Sequence, residues 1–89
     1  MKRAHVIYSG NVQGVGFRYT AVNCARGFAV TGWVQNTADR KVELIAEGQE
    51  IEIKNFLADL KSQMSSFIRD EQISWEPATG EFGGFKINF

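Results

Sequence analysis

The stretch GNVQGVGFRYT, residues 10–20, places Gly10, Gly14 and Gly16 ahead of Arg18 at the mouth of a helix-like segment. Glycine weakens regular structure, so its repeated use here needs a reason. One reason is a plain strand-to-helix connection in which the glycines only relieve the backbone. The other is an anion cradle, because a glycine-rich loop that feeds a helix N-terminus exposes free N–H groups at the positive end of the helix dipole. Gly14 and Gly16 would let that backbone approach a phosphate, and Arg18 would add a planar fork of donors. Known nucleotide loops fit poorly. A Walker A loop needs a Lys-Ser/Thr pair that is absent here, and a dinucleotide fingerprint needs a third glycine where Tyr19 stands.

Other chemistry-bearing residues argue mostly by exclusion. A cysteine-based phosphatase needs Cys-x5-Arg, but Val30 follows Cys24 at the arginine spacing. Cys24 falls on an apolar helix stripe and reads as core. His5, the one histidine, sits in strand-like sequence with no Cys, Asp or Glu at metal-ligand spacing, and reads as structural or surface. The carboxylates are scattered. An enzyme built from these parts works without a metal, a covalent nucleophile or an obvious general base. Its leaving group must depart easily.

The elements that would carry these residues are legible from periodicity. Residues 4–12 read as a first strand. Phe17, Ala21, Cys24, Ala25 and Phe28 form one face of a helix, with Gly27 where a left-handed C-terminal cap would fall. Residues 30–37 and 41–48 read as two strands joined by a hairpin through Thr37, Ala38, Asp39 and Arg40. A second helix carries Ile53, Phe56, Leu57, Leu60 and Met64 on one stripe. SSFIRDE breaks that pattern, then QISWEPAT and GGFKINF close the chain as strands, with Phe85, Ile87 and Phe89 alternating. The order β-α-β-β-α-β plus a final strand gives an α+β, ferredoxin-like sandwich: an antiparallel sheet with both helices on one face. That fold hosts many functions and decides none.

The bulk composition agrees with one globular domain over residues 1–89. The chain is 44% hydrophobic and 22% charged, and ten basic residues balance ten acidic ones. A chain that neutralises nucleic-acid phosphates usually carries a basic excess, so the balance counts against that partner. A lone cysteine forms no intrachain disulfide, the start lacks an apolar signal segment, and no run is long enough for a membrane span. A cytoplasmic monomer is expected, with no membrane partner.

Three segments together resemble one family. GNVQGVGFR (Gly10–Arg18), GWVQN (Gly32–Asn36) and AEG (Ala46–Gly48) are similar to the acylphosphatases, the first matching their Gly-x-Val-Gln-Gly-Val-x-Phe-Arg signature and the second Gly-x-Val-x-Asn. The resemblance runs over nearly the whole chain, including the ending GGFKINF. It implies hydrolysis of a small-molecule carboxyl phosphate to a carboxylate and inorganic phosphate, without metal or cofactor. It implies that Arg18 binds the phosphoryl oxygens with the backbone N–H groups of Gln13, Gly14, Val15, Gly16 and Phe17, and that Asn36 positions the attacking water. The chemistry is consistent. A carboxylate is a weakly basic leaving group, and phosphoryl transfer is largely positioning and charge stabilisation. Without the first signature, Asn36 would read as an ordinary hairpin-end asparagine. The family often places glycine in the hairpin after Asn36; here the turn runs Asp39, Arg40, Lys41.

Two non-enzymatic readings compete. RNA-recognition modules share this element order, and Arg26-Gly27-Phe28-Ala29 opens like their aromatic RNP1 motif. The next aromatic is replaced by Val30, however, and the motif falls at the end of the first helix rather than on the third strand. Trp33 and Trp75 are the candidate stacking residues and read better as partly buried packing groups. A domain that senses a small anion without turnover is the other reading, disfavoured by the joint presence of Arg18 and Asn36.

Overall fold

The computed structural model describes every residue from Met1 to Phe89. β1 (Lys2–Gly10) turns Ala4, Val6 and Tyr8 inward at period two, all fully buried. α1 (Phe17–Ala25) follows, burying Phe17, Ala21, Cys24 and Ala25. β2 (Val30–Asn36) and β3 (Val42–Gly48) form the hairpin. α2 (Glu50–Met64) buries the expected stripe of Ile53, Phe56, Leu57, Leu60 and Met64. β4 (Ile68–Pro77) and β5 (Phe85–Asn88) complete the chain.

The sheet order is β4-β1-β3-β2-β5. β1 pairs antiparallel with β3 and β4, and β2 antiparallel with β3. β5 adds to β2 in parallel, so the ferredoxin-like sheet gains a mixed edge. Both helices pack on one face, where Phe56 meets Phe85 edge-on with ring centroids 5.3 Å apart. No helix is long and apolar enough to cross a membrane.

The register settles which chain segments share an end of the sheet. Tyr8 of β1 and Asn36 of β2 both pair with Val42 of β3, from opposite sides. β1 and β2 therefore run parallel with β3 between them, roughly 10 Å apart. The loop leaving β1 and the last residue of β2 emerge at the same edge.

Three expectations are adjusted. The first strand covers residues 2–10 rather than 4–12. α1 stops at Ala25, and Gly27 is not a left-handed cap: its N–H bonds to Cys24 O at 3.0 Å and Phe28 N–H to Ala25 O at 3.1 Å, tightening the last turn into 3₁₀-type bonds. β4 begins at Ile68, inside SSFIRDE, because pairing of Asp70, Glu71 and Gln72 with Ser9, Tyr8 and Ile7 outweighs the poor strand propensity of the acidic residues.

The connection from β4 to β5 is tied down by a buried charge. Glu47 on β3 is 3% exposed. Its carboxylate accepts from Arg3 Nε at 2.7 Å, from the Thr79 and Gly80 amides at 2.9 and 3.0 Å, and from Thr79 Oγ1 at 3.2 Å. Burial alone would raise its pKa, but the two amides, Arg3 and the Thr79 hydroxyl outweigh that and hold it down at about 2. Arg3 also donates to Glu81 and lies over the Phe82 ring, pinning the segment that delivers β5.

Candidate active site

β1 ends where the chain must pass close to β4. A side chain on Gly10 would put its Cβ 2.5 Å from Phe67 O and 2.7 Å from Arg69 N, so this glycine serves the geometry of the chain. Asn11 N–H then bonds to Phe67 O at 2.9 Å, and fully buried Val12 anchors the loop from below. Gly14 and Gly16 differ from Gly10. Both adopt left-handed backbone, at φ 77° and 76°, with no protein atom near where a Cβ would stand. Their requirement is conformational: an L-residue would resist the two left-handed turns of this loop.

The amide donors of this loop are not spent on the fold. None of the amides of Gln13, Gly14, Val15 and Gly16 donates to a backbone carbonyl. Thr20 N–H is the amide that bonds back to Gly16 O, at 3.0 Å, and helix geometry leaves the preceding first-turn amides without intrahelical acceptors. The two helices treat their positive ends differently. α2 neutralises its first turn with Glu50 and Glu52, whereas α1 has no acidic residue there. The start of α1 therefore keeps its attraction for an external anion.

Arg18, half-buried in the first turn of α1, makes no salt bridge within the chain; its guanidinium carbon instead stands 5.2 Å from the centroid of the Phe89 ring. A cation over an aromatic face keeps its charge and most of its donors. Val12, Gly14, Gly16, Phe17, Arg18, Tyr19 and Asn36 line one small cavity of about 100 Å³. The site thus unites Gly14, Gly16, Phe17 and Arg18 with Asn36, eighteen residues beyond Arg18 in the sequence. A larger hollow of about 400 Å³ lies among Met1, Lys2, Trp75, Glu76 and Pro77. Its charged members are of opposite sign and no glycine opens the backbone there.

Gln13 and Val15 do not line the small cavity. Val15 turns toward the core. Gln13 sends its side chain to the β2–β3 hairpin, where Nε2 donates to Thr37 O and Lys41 O, both at 2.9 Å. The hairpin neck is closed by Thr37 N–H to Lys41 O at 2.9 Å and by Lys41 N–H to Thr37 Oγ1 at 3.0 Å, and the Thr37 hydroxyl also donates to Asp39. Arg40 takes a left-handed conformation, φ 67°, in the three-residue loop where a glycine would be relaxed. Arg40 and Lys41 add cations near the hairpin end, with Asp39 partnering Lys41 at 3.8 Å.

Tyr19 and Val12, which line the cavity, and Phe89, which packs against Arg18, are residues that pattern reasoning missed. Val12 shows itself as an apolar residue one strand period beyond Gly10, and Tyr19 by its neighbour Arg18. Phe89 has no local signal, since only the parallel seating of β5 on β2 brings it back to α1.

Groups set aside on sequence stay outside the cavity. Cys24 is 5% exposed, receives a hydrogen bond from Gln63 at 3.1 Å, and has its thiol pKa pushed up to about 11, mainly by burial and also by Asp59. His5 bonds Glu43 at 2.6 Å on the open sheet face, with Gln35 holding the other carboxylate oxygen at 2.8 Å. No three His, Cys, Asp or Glu side chains gather as metal ligands would. Residues 26–29 lie at the end of α1, off the sheet. Trp33 shares the open face with His5, while Trp75 pairs with inward-facing Ala4 on the helix side, so the two indoles cannot form one stacking platform.

Comparison with known proteins agrees on one family. The family model described as Acylphosphatase matches residues 4–87. An acylphosphatase of Roseiflexus sp. (strain RS-1) is 42% identical over 88 residues, covering 98% of this chain and 95% of the relative. One from Anaeromyxobacter sp. (strain Fw109-5) is 39% identical with the same coverage. The crystal structure of acylphosphatase from Bacillus subtilis superposes with a TM-score of 0.89 at 30% identity, over the whole of both chains.

Proposed function

The chain belongs to the acylphosphatase family, a hydrolase of acyl phosphates, and on that premise we propose how its residues divide the reaction. The observation that carries the proposal is the single cavity lined by the glycine loop, Arg18 and Asn36. The phosphoryl group of the substrate sits on the amides of Gln13, Gly14, Val15, Gly16 and Phe17. Arg18 grips its equatorial oxygens. Neither contact requires a proton to move, and both strengthen as the bond to the acyl oxygen loosens and charge accumulates on the phosphoryl oxygens.

Asn36 lines the same cavity. Its carboxamide oxygen accepts from a water and aims that water at phosphorus, in line with the departing carboxylate. An amide is no base at neutral pH, so once the new P–O bond has formed the water's proton passes to a phosphoryl oxygen of the product, giving dihydrogen phosphate, rather than to Asn36. The arrangement suffices because the leaving carboxylate needs no general acid. The unneutralised helix end and Arg18 favour a terminal, dianionic phosphoryl group over the singly charged diester of an RNA backbone, which supports the acyl phosphate reading over RNA binding. The protein works as a single unit over residues 1–89, as a monomer, in the cytoplasm.

The test is hydrolysis of acetyl phosphate in EDTA, with inorganic phosphate as competitive inhibitor. Asn36→Ala should lower kcat by about 10²- to 10³-fold, the scale for one transition-state polar group, and leave the phosphate inhibition constant within about threefold. Arg18→Ala should weaken phosphate and lower kcat together, because a charge-assisted bidentate contact serves ground and transition state alike. Loss of phosphate affinity in Asn36→Ala would refute the division of roles.

A further inference from the structure

We propose that the Gln13 side chain is a positioning residue that holds Asn36 in register with the phosphate cradle, an inference that rests on the roles proposed above. Gln13 enters those roles through its backbone amide alone, and its carboxamide points elsewhere. Nε2 donates one N–H to Thr37 O and the other to Lys41 O, each at 2.9 Å. Those carbonyls belong to the two residues that close the hairpin neck immediately after Asn36. One planar NH2 group thereby spans both strands of the hairpin.

This is the only hydrogen-bonded link between the β1–α1 loop and the hairpin. The other bonds of the loop run elsewhere: Asn11 N–H to Phe67 O, and Thr20 to Gly16 O. β1 and β2 are separated by β3, so the sheet ladder joins the cradle to Asn36 only indirectly. The hairpin is also the less relaxed partner, since its loop holds Arg40 in left-handed backbone. A tether from the phosphate-binding loop itself fixes the water-orienting amide relative to the bound phosphorus. Reaction rate is sensitive to about an ångström in such placement.

The glutamine is suited to this by its chemistry. Two convergent carbonyls need two donors from one centre, which an amide NH2 supplies and a hydroxyl does not. A glutamate would set oxygen against oxygen, and an asparagine falls one methylene short of the neck.

The experiment is a double-mutant cycle with acetyl phosphate as substrate and inorganic phosphate as the binding probe. Gln13→Leu should lower kcat by about 10- to 100-fold and leave the phosphate inhibition constant within threefold, because the backbone amide is retained. In the Asn36→Ala background the same substitution should cost less than twofold, since the residue it positions is gone. Gln13→Glu, of equal length, should lose kcat at least as much as Gln13→Leu and bind phosphate more weakly through its added charge, so the phosphate criterion is read from Gln13→Leu. Gln13→Asn serves with the same readouts should either variant fail to fold by circular dichroism. Equal losses in kcat and phosphate affinity, or a full-sized loss on top of Asn36→Ala, would overturn the proposal. A wild-type protein that does not turn over acetyl phosphate would instead overturn the catalytic roles on which it rests.

Discussion

Glu47→Gln isolates one buried charge, and its cost can be worked from the geometry. The carboxylate is 3% exposed and takes four hydrogen bonds from Arg3, Thr79 and Gly80. Its pKa of about 2 in the folded protein compares with an ordinary glutamate value of about 4.3 in the unfolded chain. Two units correspond to about 3 kcal/mol of stability carried by the ionised form. A glutamine keeps the shape but must turn an NH2 toward donors, losing the charge and at least one acceptor. At pH 7 the variant should be less stable by about 3 kcal/mol, a Tm lower by roughly 12–20 °C for a domain of this size. The sign of the pH dependence follows from the depressed folded pKa. The stabilisation is complete above the unfolded value and is lost as pH falls from about 4.5 toward 2. Denaturant melts of both proteins at pH 7, 4, 3 and 2 should therefore show their difference shrinking toward zero. Carboxylates that do not share Arg3 or Thr79 with Glu47 titrate alike in the two proteins and cancel. A difference that stays constant with pH, or one below about 1 kcal/mol at pH 7, would refute the assignment of this stability to the Glu47 anion.

Two further outcomes follow from local geometry. Arg40→Gly should stabilise the protein by about 0.5–1 kcal/mol, seen as a higher Tm, because φ 67° strains an arginine and not a glycine. Cys24→Ala should cost about 1 kcal/mol from the small void it leaves and keep full acyl phosphate turnover, measured by steady-state kinetics.

Much of the fold is readable along the chain because the core-facing residues repeat at the period of their element. Ile53, Phe56, Leu57, Leu60 and Met64 keep helical spacing and are buried; Ala4, Val6 and Tyr8 alternate and are buried. Local patterns fail where a partner decides. Asp70 and Glu71 are poor strand formers held in β4 by pairing with β1, and the end of α1 is tightened by bonds from residues 27 and 28 rather than by a left-handed glycine.

The candidate site divides in the same way. The glycines before Arg18 announce an exposed, helix-capping backbone, because φ preference and donor geometry are local properties. A linear pattern with GWVQN marks Asn36, but its proximity to Arg18 depends on β3 lying between β1 and β2. The Gln13 bridge, the Phe89 ring under Arg18 and the Glu47 anchor are absent from any local signal. Each joins residues more than twenty positions apart, and such contacts are set by strand order and register rather than by the propensities of the residues that make them.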